Sequence, residues 1–119
     1  MLSFYGLKNC STCKKVLKHF EAVGLAVETI DIREHPPASD LIDLALDRYG
    51  NPRKVINTSG QAYRQSGLKD QLAGMTNQEI SQLLAADGML VKRPFITDGQ
   101  TASAGAKLDE LDQVWLDQE

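Results

Sequence analysis

The first thirty-two residues change their apolar period twice. Leu2–Tyr5 is a short apolar run that reads as a strand, and Gly6 to Asn9 reads as a turn. From there Cys13, Val16, Leu17, Phe20 and Val23 recur at three- and four-residue steps, the pattern of one buried helix face. Gly24 supplies a C-terminal stop. Val27–Ile32 then alternates, with Val27, Ile30 and Ile32 as the inward set, until Pro36-Pro37 ends it. A strand–helix–strand unit this short uses the helix as a crossover. The two strands are therefore parallel and the connection right-handed.

The remaining chain predicts a block of helices over residues 38–87, then a hairpin and a closing helix. Ser39 or Asp40 can cap a helix running through Tyr49, with Leu41, Leu44 and Ala45 on its buried face. Gly50-Asn51-Pro52 breaks that helix, Asn57-Thr58-Ser59-Gly60 is a turn, and Tyr63–Leu72 reads as short helical pieces. Thr76 and Glu79 fit a capping box ahead of a helix that turns Ile80, Leu83 and Leu84 inward. Met89–Val91 and Phe95–Thr97 are strand-like segments on either side of Lys92-Arg93-Pro94. Asp98-Gly99 is a hairpin signal joining Phe95–Thr97 to Thr101–Ala104. Leu108, Leu111, Val114 and Trp115 repeat at helical spacing to the end. With 119 residues, one domain spanning 1–119 is expected. This order resembles a thioredoxin-like α/β fold: a mixed central sheet built from βαβ, a helical insertion, a β-hairpin and a C-terminal helix.

Several classes of function are excluded early. No apolar run approaches the roughly 20 residues of a membrane-spanning helix, and the N-terminal segment is too soon interrupted for a secretory signal, so a cytoplasmic protein with no membrane partner is expected. The net charge is −3 and the pI near 5.3, which leaves no electrostatic footprint for direct nucleic-acid binding.

The chemistry concentrates in Cys10-Ser11-Thr12-Cys13, which holds the chain's two cysteines and opens the first helix. A helix N-terminus presents unpaired N–H groups and partial positive charge, which favour a thiolate. Cys10, at or just before the first turn, would accept from the N–H groups of residues 12 and 13 and is the candidate nucleophile. Cys13, on the apolar face, is the candidate resolving thiol that would close a redox disulfide with it. Ser11 and Thr12 are small and keep the approach open. Lys8 and Lys14 are candidates for tuning the thiol by their charge. Burial of both cysteines as small hydrophobes is the alternative; it suits Cys13 better than Cys10. Only His19 and His35 could join them on a metal, and His19 falls off the Cys13 face, so no metal site is expected.

Arg93-Pro94 is the second feature with chemical content. A proline between two strand-like segments belongs at a strand's start or edge, and the bond before it can be cis. Arg93 would then bring an always-charged guanidinium toward the thiolate or an anionic substrate.

Taken together, Cys10-Ser-Thr-Cys13-Lys-Lys, Asn57-Thr-Ser-Gly60 and Asp87-Gly-Met-Leu-Val-Lys-Arg-Pro94 resemble the arsenate reductase (ArsC)/Spx/MgsR family over almost the whole chain. The resemblance implies the thioredoxin-like fold with its helical insertion and two branches of function. In the reductase branch one cysteine, matched by Cys10, attacks arsenate, three arginines hold the oxyanion, and glutathione and glutaredoxin restore the enzyme. Here Arg93 matches one arginine, while Asn57 and Gly105 or Ala106 stand at the other two places, and that branch has no resolving thiol at Cys13. In the Spx branch the C-x-x-C is a disulfide switch, and the protein binds RNA polymerase through the C-terminal domain of its α subunit. The chain matches the two cysteines and the Arg-Pro but not the basic tail. The expectation is a monomeric thiol–disulfide oxidoreductase with Cys10, Cys13 and Arg93 as its catalytic set. It would carry no cofactor of its own and be restored by glutathione, a glutaredoxin or a thioredoxin. A redox-sensing regulator bound to RNA polymerase is the alternative.

Overall fold

Strand β1 (Leu2–Gly6) enters helix α1 (Ser11–Ala22), which returns the chain to β2 (Val27–Asp31). The computed structural model describes residues 2–116, so the expected continuation of the last helix to residue 119 lies outside the described residues. After β2 come α2 (Ser39–Tyr49), α3 (Gln61–Ser66), α4 (Leu68–Gln71) and α5 (Asn77–Ala86), then β3 (Phe95–Thr97), β4 (Ala102–Ala104) and α6 (Leu108–Trp115). Single 3₁₀ turns at Pro52–Lys54, Leu72–Gly74 and Gly88–Leu90 join some of these pieces.

The sheet order is β2-β1-β3-β4. β1 and β2 are parallel, with Leu2 opposite Val27 and Gly6 opposite Asp31, as the crossover requires. β3 runs antiparallel to both β1 and β4. This mixed sheet with helices on both faces is the thioredoxin-like α/β arrangement expected from the element order.

The strand period of two divides the core. Phe4 and Ile96 face α1 and α6 and pack with Val16, Phe20, Leu111, Val114 and Trp115. Phe95, one residue from Ile96, faces the other way and joins Ile32, Ile42, Leu46, Ile80 and Leu84 under α2 and α5. Cys13 belongs to the first cluster, so α1 is docked through the same face that carries the thiol.

Local signals hold the ends. Thr76 and Glu79 form the expected capping box: Thr76 Oγ1 accepts from the Glu79 N–H at 3.1 Å, and Glu79 Oε1 from the Thr76 N–H at 2.9 Å. In the hairpin, Asp98 Oδ1 accepts from the N–H groups of Gln100 and Thr101, at 2.9 and 2.8 Å, while Gly99 takes a φ of +94°. The outer edge of β4 is closed by Tyr49 of α2. Its hydroxyl accepts from the Ala104 N–H at 3.1 Å and donates to the Ala104 carbonyl at 3.3 Å. Burial and then the neighbouring Glu110 carboxylate push that phenol up to about 12, so it keeps the proton it donates.

Some expectations from periodicity shift by a residue or a face. Val23 is 46% exposed because it is the C-cap of α1 and has left the helix face. The inner face of α2 is Ile42, Ala45 and Leu46, with Leu41 and Leu44 only half-buried; its N-cap is Ala38, not Ser39 or Asp40. On α5, Ser81 takes an inner place beside Ile80 and Leu84, its hydroxyl donating to the Gln78 carbonyl at 3.0 Å, and Leu83 turns out to 36% exposure. Met89 and Leu90 lie in a 3₁₀ turn instead of a strand; Val91 alone makes a bridge, to Ile56. β2 stops at Asp31, and Ile32 is buried just beyond it.

That 3₁₀ turn is seated on backbone. A Cβ on Gly88 would fall 1.9 Å from the Ile32 carbonyl oxygen, an atom no side-chain rotation can move. Gly88→Ala is therefore expected to lose about 3 kcal/mol of stability, at the upper end of overpacking costs, measured by urea unfolding. A variant with an unchanged midpoint would show that the turn can lift off Ile32 freely.

Candidate functional site

Cys10 is the N-cap of α1, with an extended backbone at φ −88° and ψ 118°. Its N–H donates to the Leu7 carbonyl at 3.3 Å and its carbonyl accepts from Lys14 N–H at 3.0 Å, so both sides of the residue are tied. At a cap the side chain ordinarily offers an acceptor to the first free N–H groups. Here a sulfur stands at that place without closing a regular cap hydrogen bond, and of the N–H donors expected at residues 12 and 13 only that of Cys13 acts on it. Cys10 Sγ lies 3.0 Å from Thr12 Oγ1.

The acidities of the two thiols diverge. Partial burial on its own would raise Cys10; hydrogen bonds from the Thr12 hydroxyl, the Cys13 N–H, the Cys13 thiol and the Arg93 guanidinium outweigh it and bring the pKa down to about 7. Cys13 is 1% exposed. Burial pushes its thiol up to about 11, with a further rise from Cys10, against a smaller lowering by the Leu7 N–H and the Arg93 charge. At neutral pH Cys10 is far more readily ionised than an ordinary cysteine, while Cys13 stays protonated.

Arg93 reaches this pair from the far end of the chain through the bond to Pro94, which is cis as expected. Pro94 is buried at the entry to β3. One Arg93 nitrogen, Nη1, lies 3.9 Å from Met89 Sδ, a weak contact. Its Nε is enclosed and has no acceptor among the described residues. A buried N–H with nothing to donate to is costly, even though the guanidinium as a whole also bonds to Cys10.

Cys10, Cys13 and Arg93 thus lie together in the structure. Lys8 and Lys14 are exposed, and the groups that set the Cys10 acidity are Thr12, Cys13 and Arg93. Thr12 is the residue that spacing alone undervalues. It stands at the second helical position, where a side-chain hydroxyl can meet a cap atom, and that position is the available signal. Asn57 donates its N–H to the Leu90 carbonyl at 2.8 Å, and its amide lies over Gly60. At Gly105, with φ +102°, the stem of Lys92 covers the place a side chain would take. A cleft of about 330 Å³ opens beside the thiol loop, lined among others by Gly6, Leu7, Lys8 and Leu17.

Among the described residues no group of three or more His, Cys, Asp or Glu could hold a metal ion. His19 instead bonds Asp112 at 2.7 Å, tying α1 to α6. Among the same residues no helix is long and apolar enough to cross a membrane.

A thioredoxin-like sheet with an activated thiol at the first helix defines a class of thiol redox protein. Within it, residues 5–114 match the model of the ArsC family, and the chain belongs to that family. It is 39% identical over 115 residues to the protein YusI of Bacillus subtilis strain 168, covering 96% of this chain and 98% of that one. Among solved structures, it resembles a possible arsenate reductase from Streptococcus mutans UA159, with a TM-score of 0.84 and 39% identity over 94% of this chain and 98% of that one. It also resembles SACOL0876 from Staphylococcus aureus COL, with a TM-score of 0.83 and 38% identity over 98% of this chain and 99% of that one.

The alkylation rate of Cys10 should rise with pH through a midpoint near 7, since only the thiolate reacts, and fall away below it as the sulfur protonates. Thr12→Val removes a donor to the anion, so its midpoint should move upward toward the free-cysteine value of ~8.5. The measurement is iodoacetamide labelling of Cys10 followed by mass spectrometry across pH; a midpoint unmoved by the substitution would remove Thr12 from the site.

Proposed function

We propose that the chain is a thiol–disulfide oxidoreductase of the ArsC family in which Cys10 attacks, Cys13 resolves and Arg93 steers the substrate. The observation that carries this reading is the division of acidity between two sulfurs three residues apart: Cys10 half-buried and held near 7, Cys13 buried and held near 11. One is ready to attack at neutral pH. The other is kept inactive until needed.

The order of steps follows from what raises Cys13. Apart from burial, the groups that raise it are the hydrogen bond and charge of Cys10. The Cys10 thiolate attacks a disulfide R–S–S–R′, forming Cys10–S–S–R and releasing R′–S⁻. Cys10 then no longer carries the charge that repels a second anion. The Leu7 N–H and the Arg93 guanidinium, which lower Cys13, remain. Cys13 gives up its proton to solvent, its sulfur attacks Cys10, and R–S⁻ leaves. The substrate gains two electrons and the protein closes the Cys10–Cys13 disulfide. Glutathione, a glutaredoxin or a thioredoxin would reopen it.

A disulfide suits this site better than arsenate. A multiply charged oxyanion calls for several cationic donors, and the site offers one guanidinium and a hydroxyl, with Asn57 turned onto Gly60. The likeness to a possible arsenate reductase from Streptococcus mutans UA159 supports the thiol chemistry and leaves the substrate to this difference in donors.

Cys13→Ser should accumulate a stable mixed disulfide on Cys10 when the reduced protein meets glutathione disulfide, visible as a mass increase of one glutathionyl group. Wild-type protein should instead lose two hydrogens. Protein that ends glutathionylated even with Cys13 present would replace the two-thiol scheme by a one-thiol one. An oxidised form that performs no exchange but binds the C-terminal domain of the RNA polymerase α chain would replace it by the redox-sensing regulator.

A further inference from the structure

Gly6 closes β1, and nothing in its backbone calls for glycine. Five glycines take positive φ, at 24, 50, 67, 99 and 105, and Gly6 is not among them. It is paired in register with Asp31, and its carbonyl accepts from the Ile32 N–H at 3.1 Å. A glycine at a regular strand position weakens the strand, and it often marks a close approach by another group. Here the approaching group is the resolving sulfur. A Cβ on residue 6 would stand 2.8 Å from Cys13 Sγ and 3.0 Å from Phe4 Cε1. The first is closer than a carbon atom tolerates and the second is tight, so the Cys13 sulfur occupies the side-chain space of residue 6.

The next residue completes the arrangement. The Leu7 N–H donates to Cys13, while the Leu7 carbonyl accepts from the Cys10 N–H at 3.3 Å. One residue's backbone therefore contacts both members of the thiol pair. Phe4 packs behind Gly6 and is 2% exposed, so the sulfur has a firm wall on that side.

We propose that the Gly6–Leu7 backbone is the positioning element for the resolving step: the bare Cα of Gly6 sets how deep the Cys13 sulfur sits, and the Leu7 backbone fixes it relative to Cys10. The inference rests on the two-thiol reading above and adds a residue that touches neither substrate nor Cys10. Its effect falls on closure, where the Cys13 sulfur must align with the Cys10–S–S–R bond. Attack by Cys10 on the first disulfide uses that sulfur only as one of several hydrogen-bond donors to the thiolate, beside Thr12, the Cys13 N–H and Arg93, so the first step is the less sensitive of the two.

Reduced protein mixed with dithiobis(nitrobenzoate) in a stopped-flow cell reports both steps, because each releases one coloured nitrothiobenzoate. The first release forms Cys10–S–S–R, and the second accompanies closure of the Cys10–Cys13 disulfide. In Gly6→Ala the ratio of the second rate to the first should fall on the order of 10- to 100-fold, the penalty of a sub-ångström to ångström misplacement of a reacting atom. A ratio within about twofold of wild type overturns the proposal while leaving the two-thiol reading intact. Wild-type protein that releases a single equivalent overturns the two-thiol reading itself, and the proposal with it.

A second measurement isolates the sulfur from general crowding. In a Cys13→Ala background the nearest atom on residue 13 is its Cβ, 3.5 Å from the new methyl group and in ordinary contact. The loss of denaturant midpoint caused by Gly6→Ala should then shrink by about half or more, a coupling expected of touching side chains. If Gly6→Ala alone fails to fold, a folded Gly6→Ala/Cys13→Ala protein supports the proposal. An equal cost in both backgrounds, or a double variant that also fails to fold, overturns it.

Discussion

The site depends on a short connection, the four residues between the end of β1 and the start of α1. β1 is held on both sides, by β2 and by β3, so its end is a fixed point in the sheet. Leu7 carries that fixity to the Cys10 N–H, and Cys10 in turn accepts from Lys14. The sulfur at the N-cap therefore sits where a helix N–H, a hydroxyl and a guanidinium converge, without reorganisation when a proton leaves. A looser turn would leave the same residues with an ordinary thiol, because a hydrogen bond to an anion works only at its proper length.

The core explains why Arg93 can serve a cysteine so distant in sequence. β3 is the strand paired to β1, with Phe95 opposite Tyr5 and Ile96 opposite Phe4. The residues just before β3 thus arrive beside the residues just after β1. Ladder pairing brings Arg93 to the thiol loop, and burial of Phe95 and Ile96 on opposite faces fixes the register. His19 and Asp112 pin the other end of α1 against α6, so the thiol helix is held at both ends.

Much of this is legible in the chain. The parallel crossover, the hairpin at Asp98-Gly99, the Thr76–Glu79 box and the meeting of Cys10, Cys13 and Arg93 follow from local chemistry that tertiary packing reinforces. Periodicity misplaces Leu83 and Val23 because it gives a helix face but not the width of the partner surface or the point where the helix ends. Met89–Val91 looks like a strand by composition, yet Gly88–Leu90 is a 3₁₀ turn whose Gly88 lies against the Ile32 carbonyl. Thr12 and Gly6 escape a sequence reading for a different reason. Their roles are distances to sulfur, and sequence spacing carries no distances across a turn.

Glycine at position 6 also accounts for how one buried thiol can be both inert and available. A sulfur sealed in apolar surroundings with no donor would rest at high pKa and stay there. Cys13 is sealed by Phe4, Val16 and Phe20 on its cluster side, but toward β1 it meets bare backbone and an N–H. The same absence of a side chain that lets the sulfur lie deep gives it a polar contact that favours its anion. Its inertness in the reduced state then comes from burial and from the neighbouring Cys10, and the second of these vanishes when Cys10 becomes part of a disulfide. In the proposed scheme the pair is ordered by charge as much as by position: the half-buried sulfur would react first because its anion is the stabilised one, and its reaction would release the second.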